Sequence, residues 1–271
     1  MNSRNRTEFT KPILEFLSTL PNEKINDDAK TRLFVLIRRL ANELNEAQKR
    51  RLAMICLQQL GSEIYNLSGR GGARTNTNIQ AIYALSICGS PEDMKKLKEL
   101  HDKKRYLSAC LYAHSKTRTE IDWIIEQFLK DSEAVLKNFD NSLNMSGHAV
   151  AVALQNDSGC DVDKKKRVKV LNKLIEVINS TKLKIGSLTV CILAVGTMCD
   201  KRTCESPFSD KEILEADSCV SLVSNRYNKD LAQKVERNCQ VALKLIRGEK
   251  LDESEEKYLL TKLELLNDSE I

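Results

Sequence analysis

The stretches SGHAVAVAL at residues 146–154 and GSLTVCILAV at residues 186–195 decide the fold of this chain. Each opens on glycine or serine and stays small and apolar on every side. A helix without a polar face must be buried all round, whereas a helix with a charged stripe lies between core and water. A lysine-rich amphipathic segment separates the two stretches, so the sequence predicts alternating inner and outer layers of helices.

The rest of the chain carries almost no strand signal. Its 271 residues include only 10 Gly and 4 Pro, and helical spacing of apolar residues dominates. We therefore predict an all-α protein. The two inner segments begin at Ser146 and Gly186, a spacing typical of repeated helical hairpins. Such hairpins either close into a ring, the α/α-toroid, or stack as an open solenoid. Periodicity and capping residues predict helices at 11–20, 29–43, 47–65, 77–88, 92–104, 106–114, 121–135, 146–155, 164–179, 186–198, 212–223, 229–246 and 254–266.

A glycine-rich stretch, Gly69-Arg70-Gly71-Gly72-Ala73, is the best internal boundary. It divides the chain into an N-terminal helical segment at 1–68, which packs on or caps the main domain, and a toroid-like helical domain at 73–271. The stretch lacks the preceding strand and the Gly-Lys-Ser/Thr ending of a phosphate-binding loop, so we interpret it as a hinge.

The charges favour a solvated surface over a nucleic-acid partner. The net charge is +5, from 43 Lys and Arg against 38 Asp and Glu. The distribution is uneven: residues 163–184 are mainly basic and residues 249–271 mainly acidic. A basic patch that binds phosphates or an acidic partner is an alternative to a solvated helix face. The longest apolar run falls short of the roughly 20 residues that span a bilayer, and we expect no membrane span and no signal peptide.

Cysteines and sequons bear on the compartment. The nine cysteines are an odd number; Cys110 and Cys191 have the pattern of core residues, and Cys160, Cys199, Cys204 and Cys219 lie in or near predicted loops, where disulfides form more easily. Six Asn-X-Ser/Thr sequons exceed the roughly two expected by chance. This excess favours a secreted or extracytoplasmic glycoprotein, with a cytoplasmic protein as the alternative. The sequons begin at Asn5, Asn66, Asn144, Asn156, Asn179 and Asn267.

No catalytic motif is present, and we predict a non-catalytic binding protein. The sequence contains no Gly-X-Ser-X-Gly and no His-Glu-X-X-His. Three histidines are too few for a histidine-based metal site. The pair Cys199 and Cys204 has the spacing of a zinc half-site, but no second pair completes it, which favours a disulfide or two loop thiols. We expect no metal site.

One resemblance adds to this reading. The run from Asp122-Trp123-Ile124-Ile125-Glu126 through 146–156, then Val170-Leu171-Asn172-Lys173-Leu174 through 185–194, resembles the α/α-toroid domain of the intrinsic factor and transcobalamin family. The resemblance covers roughly residues 53–200. It implies a ring of helices that holds cobalamin against a smaller β domain. No strand-rich segment follows here, so the chain would supply at most half of such a site.

The resemblance and the residues together give three candidate ligand-binding positions. In the family, polar residues before two inner helices reach the corrin, and these places fall at Asn144 and Lys184 here, where Lys184 reverses the charge of the family's aspartate. His148 opens an inner helix, so its imidazole either faces the ring mouth, toward cobalt or a partner, or is held by a structural hydrogen bond. The predicted function is the binding of a ligand, cobalamin by resemblance, or of a protein partner at the ring mouth. The alternative is a helical-repeat interaction scaffold without a small ligand.

Overall fold

The computed structural model describes residues 12, 15, 27–40, 44–62, 72–101, 107–137, 143–157, 161–180, 182–202, 204–226 and 232–263. These residues form helices and contain no strand, which confirms the predicted all-α class. The helices are α1 (Asp27–Leu40), α2 (Glu46–Ser62), α3 (Gly72–Cys88), α4 (Pro91–His101), α5 (Leu107–Thr117), α6 (Ile121–Lys137), α7 (Leu143–Ala153), α8 (Lys164–Asn179), α9 (Ile185–Met198), α10 (Asp210–Arg226), α11 (Ala232–Arg247) and α12 (Glu253–Leu263).

The chain divides into two compact units, residues 1–120 and residues 121–271. The helix predicted at 11–20 lies outside the described residues except for Pro12 and Glu15. The predicted boundary at 69–73 also falls mostly outside them, since the description resumes at Gly72. The division into 1–68 and 73–271 therefore stays a prediction.

In the first unit, α3 is the central helix. It packs against α1, α2 and α5, and α2 packs against α4. Three buried polar side chains of α3 find partners on its neighbours, as buried polar groups must. These bonds join Thr77 to Thr31 at 2.7 Å, Gln80 to Arg38 at 3.0 Å and Asn78 to Gln59 at 3.2 Å. They fix how α1 and α2 sit on α3.

The second unit contains three helical hairpins, α6–α7, α8–α9 and α10–α11, stacked side by side, together with α12. Helix α9 packs against both α7 and α11, and these three helices form the inner row; α6, α8 and α10 form the outer row. In α7, nine of eleven residues are buried, and in α9 ten of fourteen, as the all-apolar stretches predicted. This alternation of two rows is common to α/α-toroids and helical solenoids.

The helices of the inner row are parallel. Gly147 lies against Val190 and Cys191, and further along the same pair of helices the Thr197 hydroxyl donates to the Ala151 carbonyl at 3.1 Å. Residue numbers thus rise together along α7 and α9. Between α9 and α11, Gly196 lies against Ala242, and the Lys201 amide donates to the Leu245 carbonyl at 3.2 Å. The N-terminal ends of the inner row therefore share one edge.

Small residues set how closely the inner helices approach. A Cβ atom on Gly196 would lie 2.7 Å from the Ala242 Cα and 2.8 Å from its Cβ, closer than side chains can come. The contact between α9 and α11 therefore requires glycine at 196. By contrast, a Cβ on Gly186, in the first turn of the same helix, would meet nothing within 4 Å.

A buried arginine joins the C-terminal ends of the inner helices. Arg167 of α8 is 3% exposed and donates to the carbonyls of Leu154 and Gln155, just past the end of α7. A cation is favourable at a helix C-terminus, where the carbonyls lack intrahelical partners. Arg167 also donates to the Asn156 Oδ1 at 3.3 Å, and Asn156 donates its Nδ2 to the Asp200 carbonyl at 2.6 Å. Both ends of the Asn156 amide are therefore used within the protein.

Gly196→Ala tests the close approach of α9 and α11. We expect a loss of about 1–3 kcal/mol in the free energy of unfolding, because the added methyl group overlaps the Ala242 backbone and the helices must separate. The matched control is Gly186→Ala, which meets open space; we expect it to leave stability within about 0.5 kcal/mol of wild type or to raise it, because alanine favours helix. Urea unfolding followed by circular dichroism measures both, and equal stabilities for the two variants would contradict the packing argument.

Candidate binding surface

The last described helix, α12, contacts α7, α11 and the segment that follows α9 in the second unit. Its Ser254 hydroxyl accepts from Arg237 of α11 at 2.9 Å, and its Glu256 pairs with Arg202, which follows α9. At the other end of α12, the Lys262 carbonyl accepts the Nε2 hydrogen of His148, on α7, at 2.9 Å. We call the residues that receive α12 the docking face: Arg202, Arg237, Asn238, Lys244 and His148.

Opposite charges hold the N-terminal half of α12. Lys244 donates to both carboxylate oxygens of Glu255 at 2.7 Å, and this hydrogen bond raises the pKa of the Lys244 ammonium. Arg202 lies between Glu256 and the buried Asp200. The Asp200 carboxylate accepts hydrogen bonds from the Nε and from one terminal nitrogen of Arg202. Hydrogen bonding to Asp200 raises the pKa of Arg202. Asp200 therefore orients the guanidinium that meets α12.

An aromatic side chain fills the middle of the contact. The Arg237 guanidinium carbon lies 4.2 Å from the centre of the Tyr258 ring, within the range of a cation–π contact. The Tyr258 hydroxyl accepts from the Asn238 Nδ2 at 2.9 Å, and burial raises the pKa of Tyr258. Among the described residues, nothing bonds the buried Asn238 Oδ1. An unsatisfied buried acceptor costs about 1–3 kcal/mol, so α12 fits the face imperfectly.

The apolar part of the contact is small. Of the eleven residues of α12, only Leu259 and Leu263 are buried, against nine of eleven in α7. Each buried leucine contributes about 1.5–3 kcal/mol. Leu260, next to Leu259, is 57% exposed. Helices that bury little apolar surface belong to the least stable parts of a structure, so α12 is the helix of this unit most easily detached.

α12 carries its own start signal. The Asp252 carboxylate accepts from the Glu255 amide at 2.8 Å, while the Glu255 carboxylate accepts from the Asp252 amide at 2.9 Å. This reciprocal pair is a capping box. Three acids stand in the first turn, Glu253, Glu255 and Glu256, where the helix dipole favours negative charge. The segment is therefore built to be helical and acidic at its beginning.

The three predicted ligand-binding residues are only partly brought together. Asn144 is exposed in the first turn of α7, and Lys184 is exposed at the N-terminal end of α9, so both stand on the shared edge of the inner row. His148 is 4% exposed, one turn after Asn144, and its ring faces the backbone of α12. Of the two roles that the sequence allows for His148, this Nε2 hydrogen bond corresponds to the structural one.

The basic segment at 163–184 is largely compensated within the protein. Lys166 pairs with Asp122 at 2.6 Å, Lys173 pairs with Glu176 at 2.7 Å, and Lys182 donates to the Leu136 carbonyl. Arg167 is buried against the end of α7. At least half of the eight basic side chains in this segment therefore have internal partners, which weakens the interpretation of the segment as a nucleic-acid surface.

The cysteines of the described residues are thiols. Cys199 is buried at the end of α9, Cys204 is half-buried, and no disulfide joins them. Burial raises the pKa of Cys110, Cys191 and Cys199 to about 12. The free thiols are Cys56, Cys88, Cys110, Cys191, Cys199, Cys204, Cys219 and Cys239; Cys160 lies outside the described residues.

Within the ranges that the structure describes, no group of three or more His, Cys, Asp and Glu side chains is arranged to hold a metal ion. None of the described helices combines the length and the apolar character needed to cross a lipid bilayer.

The docking face was not predicted from the sequence. Arg237 and Lys244 stand in segments with no distinctive motif, and Arg202 lies between Cys199 and Cys204, whose spacing pointed to a disulfide or a metal and not to a binding surface. One feature of the sequence could have indicated it: the excess of acidic residues at 249–271, for which no basic partner residues could be identified. The chain matches no known protein family, no curated protein and no solved structure.

Thiol accessibility can be measured directly. At pH 8, a thiol with a pKa of about 12 is thiolate in only about one molecule in ten thousand, so Cys191 and Cys199 should react very slowly with iodoacetamide. We expect Cys204, which is half-buried, to be modified well before Cys191 and Cys199, and peptide mapping by mass spectrometry identifies the sites. Guanidinium chloride should equalise the rates, and Cys204→Ser should remove the Cys204 adduct. Modification of Cys199 at the rate of Cys204 in the native protein would contradict the burial described.

Proposed function

We propose that the protein is a non-catalytic helical-repeat protein that binds another protein through the docking face of its second unit. The observation that carries this proposal is α12 itself: a helix is already bound against α7, α11 and the segment that follows α9 by paired charges, a cation–π contact and two buried leucines. A surface that recognises one helix through side chains of these kinds suits recognition of others.

The edge of the inner row supports the same proposal. Asn144 and Lys184 are exposed there, at the N-terminal ends of parallel helices, and Asn144 precedes His148 by one turn. A partner that occupies the docking face up to His148 would therefore pass close to Asn144.

Site-specific photocrosslinking tests the proposal. We expect p-benzoylphenylalanine in place of Asn144 to yield one recurrent protein adduct in extracts of the source cells, identified by mass spectrometry. Asn172 is the matched control, because it is an exposed asparagine on the outer helix α8. The same adducts at both positions, or none at 144, would count against binding at the docking face.

Small-ligand binding at the shared edge is the second candidate, favoured by the exposed Asn144 and Lys184. The residues do not fit the corrin site that the resemblance implies. Lys184 places a cation where the family has an acid, and His148 is engaged by the Lys262 carbonyl and covered by α12.

A desalting experiment separates the two candidates. After incubation with cobalamin and desalting, we expect the protein to be colourless, because the imidazole of His148 is held by α12. The visible absorption spectrum gives the result. A corrin spectrum retained at one equivalent would instead support the carrier function and make Asn144, His148 and Lys184 the first positions to substitute.

A further inference from the structure

We propose that α12 is an internal ligand of the docking face, and that the partner which replaces it is an acidic amphipathic helix with an aromatic residue followed by two leucines four positions apart. This inference rests on the proposed function and specifies the partner for the same surface.

The chemistry of the partner follows from the contacts that α12 makes. Lys244 and Arg202 bind carboxylates of the first turn, Glu255 and Glu256. Arg237 lies over an aromatic ring one turn later, that of Tyr258. Leu259 and Leu263 then supply the apolar contacts. A helix that matches the docking face therefore carries acids first, an aromatic residue next and a leucine pair last.

The position of α12 in the chain favours displacement rather than permanent packing. It buries two residues of eleven, and it follows a connection that includes Gly248 in the left-handed region, at a φ of 72°. One of its two charged pairs is partly solvated, since the Glu256 side chain is 45% exposed, whereas Glu255, which pairs with Lys244, is 14% exposed. The exposed Glu256 pair contributes little and exchanges readily.

An unsatisfied acceptor gives a partner an advantage over α12. The Asn238 amide nitrogen donates to the Lys234 carbonyl and to the Tyr258 hydroxyl, which fixes the orientation of the amide. Its Oδ1 is buried and has no hydrogen-bond partner among the described residues. A partner helix that brings a donor to this oxygen gains a hydrogen bond that α12 does not make. This hydrogen bond favours the partner in its competition with α12 and requires no change in the inner row.

The probe for this inference is a labelled peptide of residues 250–263, which retains the capping box and the leucine pair. Fluorescence anisotropy measures its binding to the full-length chain. We expect weak binding to wild type, where α12 occupies the face, and binding about tenfold tighter to the double variant Leu259→Ser/Leu263→Ser, whose own α12 competes poorly. Leu260→Ser is the matched control, since it changes the exposed neighbouring leucine, and it should bind the peptide as wild type does.

A second pair of measurements does not depend on the leucine variant folding. In the full chain, Glu255→Lys/Glu256→Lys leaves both leucines in place but repels Lys244 and Arg202, and we expect tighter peptide binding than in wild type. A peptide that carries the same two substitutions should bind this charge-reversed variant about tenfold more weakly than the unmodified peptide does.

Specific outcomes would overturn the inference. Equal peptide affinity for wild type and both loosened variants would show that α12 does not compete for the face. Equal affinity of the unmodified and charge-reversed peptides would show that the acidic first turn is not recognised. Failure of the proposed function gives a different result. The peptide would bind the two variants with a weakened α12, but Asn144 would give no specific crosslink, and α12 would then be an intramolecular contact that no partner replaces.

Discussion

The second unit depends on the close approach of α9 to α7 and α11. Where α9 meets α11, Gly196 lies so near to Ala242 that no larger side chain fits, and where it meets α7, Gly147 lies near Val190. Helices packed this closely leave little room for polar side chains between them. A buried polar group there needs a partner, as the Thr197 hydroxyl has in the Ala151 carbonyl. The polar groups of the hairpins are therefore concentrated where the inner helices end, as in the arrangement of Arg167, Asn156 and Asp200.

The fold could be predicted further than the binding surface. The small apolar stretches at 146–154 and 186–195 correspond to α7 and α9, and the lysine-rich segment between them corresponds to α8. These are local patterns, in which burial on all sides or on one face follows from residues within a few turns. The position of α12 does not follow from a local pattern, since His148 and Lys262, which form a hydrogen bond, are 114 positions apart. From the sequence, α12 reads as an ordinary amphipathic helix, and nothing in its spacing identifies its neighbours.

The uneven distribution of charge along the sequence does not predict which charged residues pair in the structure. Residues 163–184 are basic and residues 249–271 acidic, yet the basic segment finds partners such as Asp122 and Glu176 near its own hairpin. The acids of α12 meet Arg202 and Lys244 instead, from regions of mixed charge. The ion pairs are therefore determined by which helix ends lie next to each other in the fold. The net charge of each segment does not determine them.

The burial of Asn156 has a consequence for biosynthesis. This residue opens a sequon, but both ends of its amide are engaged, by Arg167 and by the Asp200 carbonyl, and the side chain is 4% exposed. A bulky oligosaccharide on that nitrogen cannot coexist with these bonds or with the neighbouring end of α9. In a compartment that glycosylates nascent chains, a glycan on Asn156 and the hydrogen bonds of Asn156 to Arg167 and the Asp200 carbonyl are mutually exclusive. The sugar would mark polypeptides that had failed to fold in time.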